Sequence, residues 1–289
     1  MRASPFEYHR ARSLEHALDL LADLGEEARP LAGGQSLVPM MNFRLAQPSH
    51  LVDINDLPLG GITAKGEVIR VGGLVRHAEL MADPLIARHL PALRDATRFI
   101  AHPTIRRRGT FGGSIAHADP TAELALMAVV YDATIVIASR EGERRVKAEA
   151  FFESAFVTAL RPGELIVAAE FPRPPVHSSG AFEEFSERQG DFAIVAVGVA
   201  LALKDGRIEK ARVACAGADL VPVRAAPVEG VLAGASLENA DVTEAAVEFA
   251  ESQEPPSDLR ATAEYRRALI AELTRRAVSR AVARAAETG

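Results

Sequence analysis

The chain has 289 residues, 48% hydrophobic and 25% charged, with a formal net charge of −6. That is an ordinary globular balance with length for two or three domains of roughly 100 residues, and it gives no global electrostatic case for nucleic acid or an anionic membrane. The single cysteine, Cys215, excludes an internal disulfide, an iron–sulfur cluster and a cysteine zinc site, so any metal redox centre must sit on another chain.

No apolar run reaches the roughly 18 residues that a membrane span needs. The N-terminus lacks the continuous apolar core of a signal peptide, which predicts a cytoplasmic protein. "SLEHALDLLADLG" spaces leucines and alanines as a helix does, with Ser13 as N-cap and Gly25 as stop. "ARPLAGG" reads as a short strand entering a turn. "SLVPMMNFRLAQ" reads as a helix opening with Ser36 as cap and Pro39 in its first turn, and "HLVDIN" as a strand. The order helix, strand, glycine turn, helix, strand predicts a small α/β unit with parallel strands.

Pro58 and the following "LGG" mark a first boundary. "EVIRVGGLV" reads as a strand, and "RHAELMADPLIARHLPALRDATRFIA" as short helices broken at its prolines. "RRRGTFGGSIAHADP" holds a second glycine loop. "PTAELALMAVVYDA" is a predicted helix; "TIVIAS", "RRVKAEAFF" and "GELIVAAEFP" are predicted strands. The proline-rich "PRPPVHSSG", residues 172–180, is the clearest linker. Beyond it lie three long strand-like runs, "AFEEFSER", "FAIVAVGVALAL" and "IEKARVACAGA". Helices follow, the last from about Leu259 to Ala286. Cys215 falls in an apolar run and reads as a buried structural thiol.

A glycine pair lets another group approach the backbone where a Cβ would clash. The first N–H groups of a following helix then favour an anion. Ala32, Gly33, Gly34, Gln35 and Ser36 form one such set, with Gln35 and Ser36 adding side-chain donors. Thr110, Gly112, Gly113 and Ser114 form another. Two such loops facing one another would hold a pyrophosphate between them; the alternative is that each is simply a turn. No G-x-G-x-x-G and no G-K-[ST] occurs, so neither an ordinary dinucleotide-binding turn nor a P-loop is present.

These segments, with "LVDIN", "RHAEL", "IAHPTIRRRGT", "GELI", "ERQGDFA" and "DLRATAEYRRALIAELTRRA", resemble the FAD-binding medium subunit of the molybdenum hydroxylases, the family of carbon monoxide dehydrogenase and xanthine dehydrogenase. The resemblance covers nearly the whole chain. It implies an α+β fold in which two subdomains of the PCMH type cradle FAD, at 1–57 and 58–176. A C-terminal α+β domain with a three-stranded antiparallel sheet and helices follows at 177–289. It also implies electron transfer from partner [2Fe–2S] centres to FAD and on to NAD or another acceptor. The implied partners are a molybdopterin-binding large subunit and a [2Fe–2S] small subunit in a dimer of heterotrimers.

Residue by residue, the resemblance implies that 32–36 and Thr110, Gly112, Gly113 and Ser114 hold FAD. It places Glu123 near the ribityl and phosphate portion, where accepting hydrogen bonds from hydroxyls suits a carboxylate. A solvated first-turn acid is the plainer alternative. Leu165 and Ile166 match a segment against the isoalloxazine, and both also suit strand core. Phe111 is packing or pocket wall. Phe182, Phe185 and Phe192 include candidates for a ring on the flavin, with core packing the default. Arg106–Arg108 offsets diphosphate charge or is a solvated face. His77 and His102 line the cleft or, more simply, serve as structural hydrogen-bonding residues. No catalytic acid or base and no metal ligand is expected on this chain. The rival function is a non-redox binding or assembly protein on the same scaffold that has lost FAD.

Overall fold

The computed structural model describes residues 2–288. The first unit runs β1 (Glu7–Arg10), α1 (Leu14–Leu24), β2 (Ala28–Leu31), α2 (Leu37–Asn42) and β3 (His50–Asp53). The Ser13 hydroxyl caps α1 by accepting from the His16 N–H, and Gly25 ends it at φ 57°, a conformation open to glycine. The three strands form a parallel sheet in the order β1-β3-β2, with α1 and α2 as the crossovers. Strand β1 was not foreseen. It is four residues of charged and aromatic side chains at a sheet edge, with no apolar alternation to reveal it.

The second unit begins with β4 (Ile62–Lys65) and β5 (Val68–Gly72). Helices follow: α3 (His77–Ala82), α4 (Pro84–His89), α5 (Pro91–Phe99), α6 (Pro103–Arg106), α7 (Phe111–His117) and α8 (Glu123–Val130). Then come β6 (Thr134–Ser139), β7 (Gly142–Lys147), α9 (Ala148–Phe151), β8 (Phe152–Ser154), β9 (Val157–Thr158) and β10 (Leu165–Pro172). Prolines open α4, α5 and α6, where a missing N–H costs nothing. Five strands pair antiparallel in the order β4-β5-β10-β6-β7. "RRVKAEAFF" is three elements: the end of β7, the short helix α9 and, from Phe152, the start of β8.

The third unit is β11 (Ser178–Phe185), β12 (Val195–Lys204), β13 (Arg207–Ala216) and β14 (Val223–Arg224), then α10 (Ala226–Leu232), α11 (Thr243–Glu251) and α12 (Ala263–Thr288). The expected three long antiparallel strands are joined by the two-residue β14. The final helix starts four residues later than its apolar pattern suggested.

The units stack in layers. Helix α8 is apolar on every side and almost wholly buried. It lies between the five-stranded sheet and the inner face of the C-terminal sheet, in one core that includes Phe111, Phe171, Phe182 and Ala196. Gly198 in β12 admits it: a Cβ there would stand 2.7 Å from Met127 Sδ. A second core fills the other face of that sheet beneath α10–α12 and contains the buried Cys215. A third joins the first unit to the outer face of the five-stranded sheet through Val52, Val136 and Leu165.

Candidate functional site

Between β2 and α2 the chain turns through residues 32–36. Gly34 sits at φ 69°, where a side chain would be strained. Gly33 is bare for another reason: a Cβ there would lie 2.2 Å from the Arg108 carbonyl oxygen and 2.8 Å from Gly109 Cα. The two glycine segments, more than seventy residues apart in the chain, therefore meet backbone to backbone. Among the described residues, no protein acceptor takes the N–H of Gly33, Gly34, Gln35 or Ser36. The Gln35 amide turns back to the Gly33 carbonyl at 2.8 Å. A cleft of about 400 Å³ opens here, lined by residues 31–35 with Val38, Pro39 and Arg108.

Two side chains hold this junction. Asn55 donates to the carbonyls of Ala32 at 2.9 Å and Leu31 at 3.2 Å. Arg76 donates to Asn55 Oδ1 at 2.8 Å and to the Arg108 carbonyl at 2.5 Å. Through Asn55, one guanidinium thus ties the start of the first turn to the start of the second segment. Neither residue was singled out from sequence; their only signal was a place at the edges of "LVDIN" and "RHAEL".

The second glycine pair is not in a loop. Gly112 and Gly113 lie in the first turn of α7, whose N-cap Thr110 accepts from the Gly113 N–H at 3.2 Å. The Phe111 N–H donates to Val75 and the Gly112 N–H to Gly73, both at 2.8 Å. The first N–H groups of this helix are satisfied by protein. Gly112 is bare because a Cβ would stand 2.8 Å from the Gly73 carbonyl. Gly73 in turn lies under the Ile166 carbonyl, which a Cβ there would meet at 2.5 Å. Ile166 is thereby brought to α7 through backbone, while its side chain and that of Leu165 are buried in strand β10. At Gly113, which is exposed, a Cβ would meet only Thr110 Oγ1.

His77 locks this segment in place. Its N–H donates to Gly109 at 3.1 Å, and its Nε2 lies 3.0 Å from the Thr110 carbonyl. Burial pushes its pKa down to about 4, so the ring is neutral and Nε2–H is the donor. This is the structural role foreseen for it. His102 is exposed and packs toward Gly190. The Arg106 guanidinium is engaged by the carbonyls of Ile100 and Ala101, which leaves exposed Arg108 as the basic group beside the cleft. Phe111 and Phe182 are core, Phe185 packs edge-on to Tyr265, and Phe192 is exposed.

Glu123 opens α8, and among the described residues no hydrogen bond joins it to either glycine segment. Burial, reinforced by the nearby Glu184, pushes its pKa up to about 8. Burial likewise raises Glu184 to about 7, and both Glu184 carboxyl oxygens are buried. Glu184 comes from β11 and Glu123 from α8, so the pair spans the layer between the second and third units. Sequence gave no hint of Glu184.

Residues 4–174 match the model of the FAD binding domain in molybdopterin dehydrogenase, and residues 180–281 that of the CO dehydrogenase flavoprotein C-terminal domain. The chain is 40% identical to the 6-hydroxypseudooxynicotine dehydrogenase complex subunit alpha of Paenarthrobacter nicotinovorans, over 100% of this chain and 98% of that protein. It is 38% identical to the carbon monoxide dehydrogenase medium chain of Afipia carboxidovorans, over 97% and 98% of the two chains. Its fold superposes on a chain of the cyanide-inactivated Cu,Mo-CO dehydrogenase with a TM-score of 0.94 at 37% identity, covering 98% of this chain and 100% of that one.

Proposed function

The chain belongs to the family of FAD-binding medium subunits of molybdopterin dehydrogenases, and we propose from this that it is the electron-transfer subunit between partner [2Fe–2S] centres and a soluble acceptor. It is an oxidoreductase subunit, and its own cofactor is FAD. In the proposed complex a molybdopterin-binding large subunit oxidises the substrate, a [2Fe–2S] small subunit relays electrons to this chain, and NAD or another acceptor removes them. A dimer of heterotrimers in the cytoplasm is the assembly proposed. No helix among the described residues is long and apolar enough to cross a membrane. We take 1–57, 58–176 and 177–289 as the three units of the chain.

The carrying observation is the row of four N–H groups, Gly33 to Ser36, that have no acceptor among the described residues and border a cleft. Half-buried N–H groups, as at Gly33, Gly34 and Gln35, seldom go unpaired, and a diphosphate supplies the acceptors such a row needs, with exposed Ser36 at its open end. In this reading those N–H groups, with Ala32 as the entry to the turn and Arg108 as a counter-charge, bind the diphosphate. Thr110, Gly112, Gly113 and Ser114 form the facing wall. Glu123 accepts from ribityl or sugar hydroxyls, and Leu165 and Ile166 back the ring from β10. When bound, FAD couples single-electron arrivals to two-electron departures. The protein's part is to position and shield it, and no side chain here is assigned a proton-transfer step.

The rival reading, a scaffold that has lost FAD, requires the 33–36 N–H groups to serve another ligand or none. The purified chain, stripped and then mixed with FAD, separates the two. Stoichiometric uptake with the visible spectrum of a bound flavin is expected. A chain that stays colourless at saturating FAD supports the rival.

A further inference from the structure

On the small parallel sheet, far in sequence from either glycine segment, three side chains converge. β1 pairs with β3 in parallel, with Glu7 opposite His50. Alternation along β1 puts His9 on the same face as Glu7. His9 Nε2 lies 3.1 Å from His50 Nδ1. Glu7 Oε2 lies 3.5 Å from His50 Nδ1 and 3.9 Å from His9 Nε2. One ligand-capable atom from each residue therefore lies within 4.8 Å of the other two. We infer that these residues form a site for a late first-row divalent cation, of the zinc type, with two imidazoles and one carboxylate as ligands.

The distances carry the inference. Metal–ligand bonds of 2.0–2.2 Å at tetrahedral angles place neighbouring ligand atoms about 3.3–3.5 Å apart. The three separations bracket that edge, so binding needs only small side-chain adjustments. The ligand types suit the class, since imidazole and carboxylate together favour zinc and its neighbours over calcium or magnesium. His50 and His9 are anchored on the sheet, with side-chain exposures of 18% and 26%, while Glu7 is 73% exposed. The buried Ala28 of β2 stands beside His50, and its short side chain leaves the imidazole room. A fourth position faces solvent. The bound ion would clamp β1, an edge strand of only four residues, onto β3. The site was not legible in sequence because Glu7 and His9 lie more than forty residues from His50.

This inference is independent of the FAD reading and is tested apart from it. The full chain, stripped with a chelator, is titrated with Zn²⁺ alone and followed by calorimetry and thermal unfolding. One equivalent should bind, and saturating Zn²⁺ should raise Tm by roughly 3–5 °C. Co²⁺ in place of Zn²⁺ should give the intense visible bands of a tetrahedral site. His9→Gln and His50→Ala should each weaken binding more than ten-fold, and Glu7→Gln about ten-fold; His177→Ala, at an exposed histidine elsewhere, should leave it unchanged. His9→Gln sits on the half-exposed edge strand and keeps the test open if His50→Ala fails to fold. The absence of stoichiometric binding, or binding that survives both His9→Gln and His50→Ala, overturns the assignment.

Discussion

Gly33–Gly34 and Gly112–Gly113 are the same dipeptide, each followed within two residues by serine and each beside a helix. The first leaves four consecutive N–H groups without a protein acceptor. The second delivers the N–H groups of Phe111, Gly112 and Gly113 to Val75, Gly73 and the Thr110 hydroxyl. Three of the four glycines are bare for reasons internal to the protein: Gly34 for its φ, Gly33 and Gly112 for the close approach of other backbone. Exposed Gly113 has neither a positive φ nor another segment's backbone against its missing Cβ. A glycine pair before a helix is thus a poor marker of an anion site until the destination of each N–H is known.

The change expected to break this comparison hardest is Gly33→Ala. Its Cβ would fall on the Arg108 carbonyl, which cannot yield without separating the two segments. A loss of about 3 kcal/mol or more in denaturant unfolding is expected, together with loss of FAD uptake. A wild-type midpoint would mean that the segments do not meet as described. Arg76→Ala tests the same junction from its side chain. Removing the guanidinium leaves Asn55 Oδ1 and the Arg108 carbonyl without their donor. About 2 kcal/mol should be lost, and Arg76→Lys should not restore it, because one ammonium cannot copy the two-armed contact.

These contacts also show what sequence could and could not reveal. Ser13 and Gly25 bound α1 as expected, and the prolines at 84, 91 and 103 open their helices, because caps and prolines act locally. The two segments were expected to face one another; the structure brings Gly33 against the backbone of Arg108 and Gly109, just before the second glycine pair. That Gly112 answers to Gly73, and Gly73 to Ile166, is non-local and has no sequence signature. Asn55 and Arg76 act through carbonyls, which any residue supplies. Glu123 was visible as a helix-opening acid, but its raised pKa comes from burial, reinforced by Glu184 from a strand about sixty residues on, and neither is written in the local sequence.

The first turn, where unpaired donors border an open cleft, contrasts with the Glu123–Glu184 pair, where acceptors are buried. In the protein without FAD, Glu123 titrates at about 8 and Glu184 at about 7, against an ordinary carboxyl value of 4.5. Between those values the folded chain keeps protons that the unfolded chain releases. The stability that this pair contributes should be fully present below the ordinary carboxyl range and be lost as pH rises toward 8, while Asp132 and the other carboxylates held low by lysine and arginine partners lose theirs as pH falls. Glu184→Gln removes one of the two charges, and at pH 8.5 should stabilise the protein without FAD by about 1–2 kcal/mol. If Glu123 accepts hydroxyls of FAD as a carboxylate, FAD affinity of the wild type should rise with pH up to about 8. An affinity flat from pH 6 to 8.5 would remove Glu123 from the FAD site.

The smallest stability effect is the most informative about the ligand. Gly113→Ala adds a methyl group that meets only Thr110 Oγ1, at 2.7 Å. Displacing that cap costs about 1 kcal/mol, while replacing glycine by alanine within a helix returns about the same. Unfolding should therefore shift by less than about 0.5 kcal/mol. Because Gly113 is exposed and Gly33 is not free to change, the two substitutions split what the sequence presents as one motif. Gly33→Ala should lose fold and flavin together, and Gly113→Ala should keep the fold. If α7 forms the wall facing the diphosphate, Gly113→Ala should weaken FAD retention at least ten-fold, and Gly113→Val should abolish it, in protein that unfolds normally. Full flavin occupancy in folded Gly113→Val would assign the diphosphate to the first turn alone.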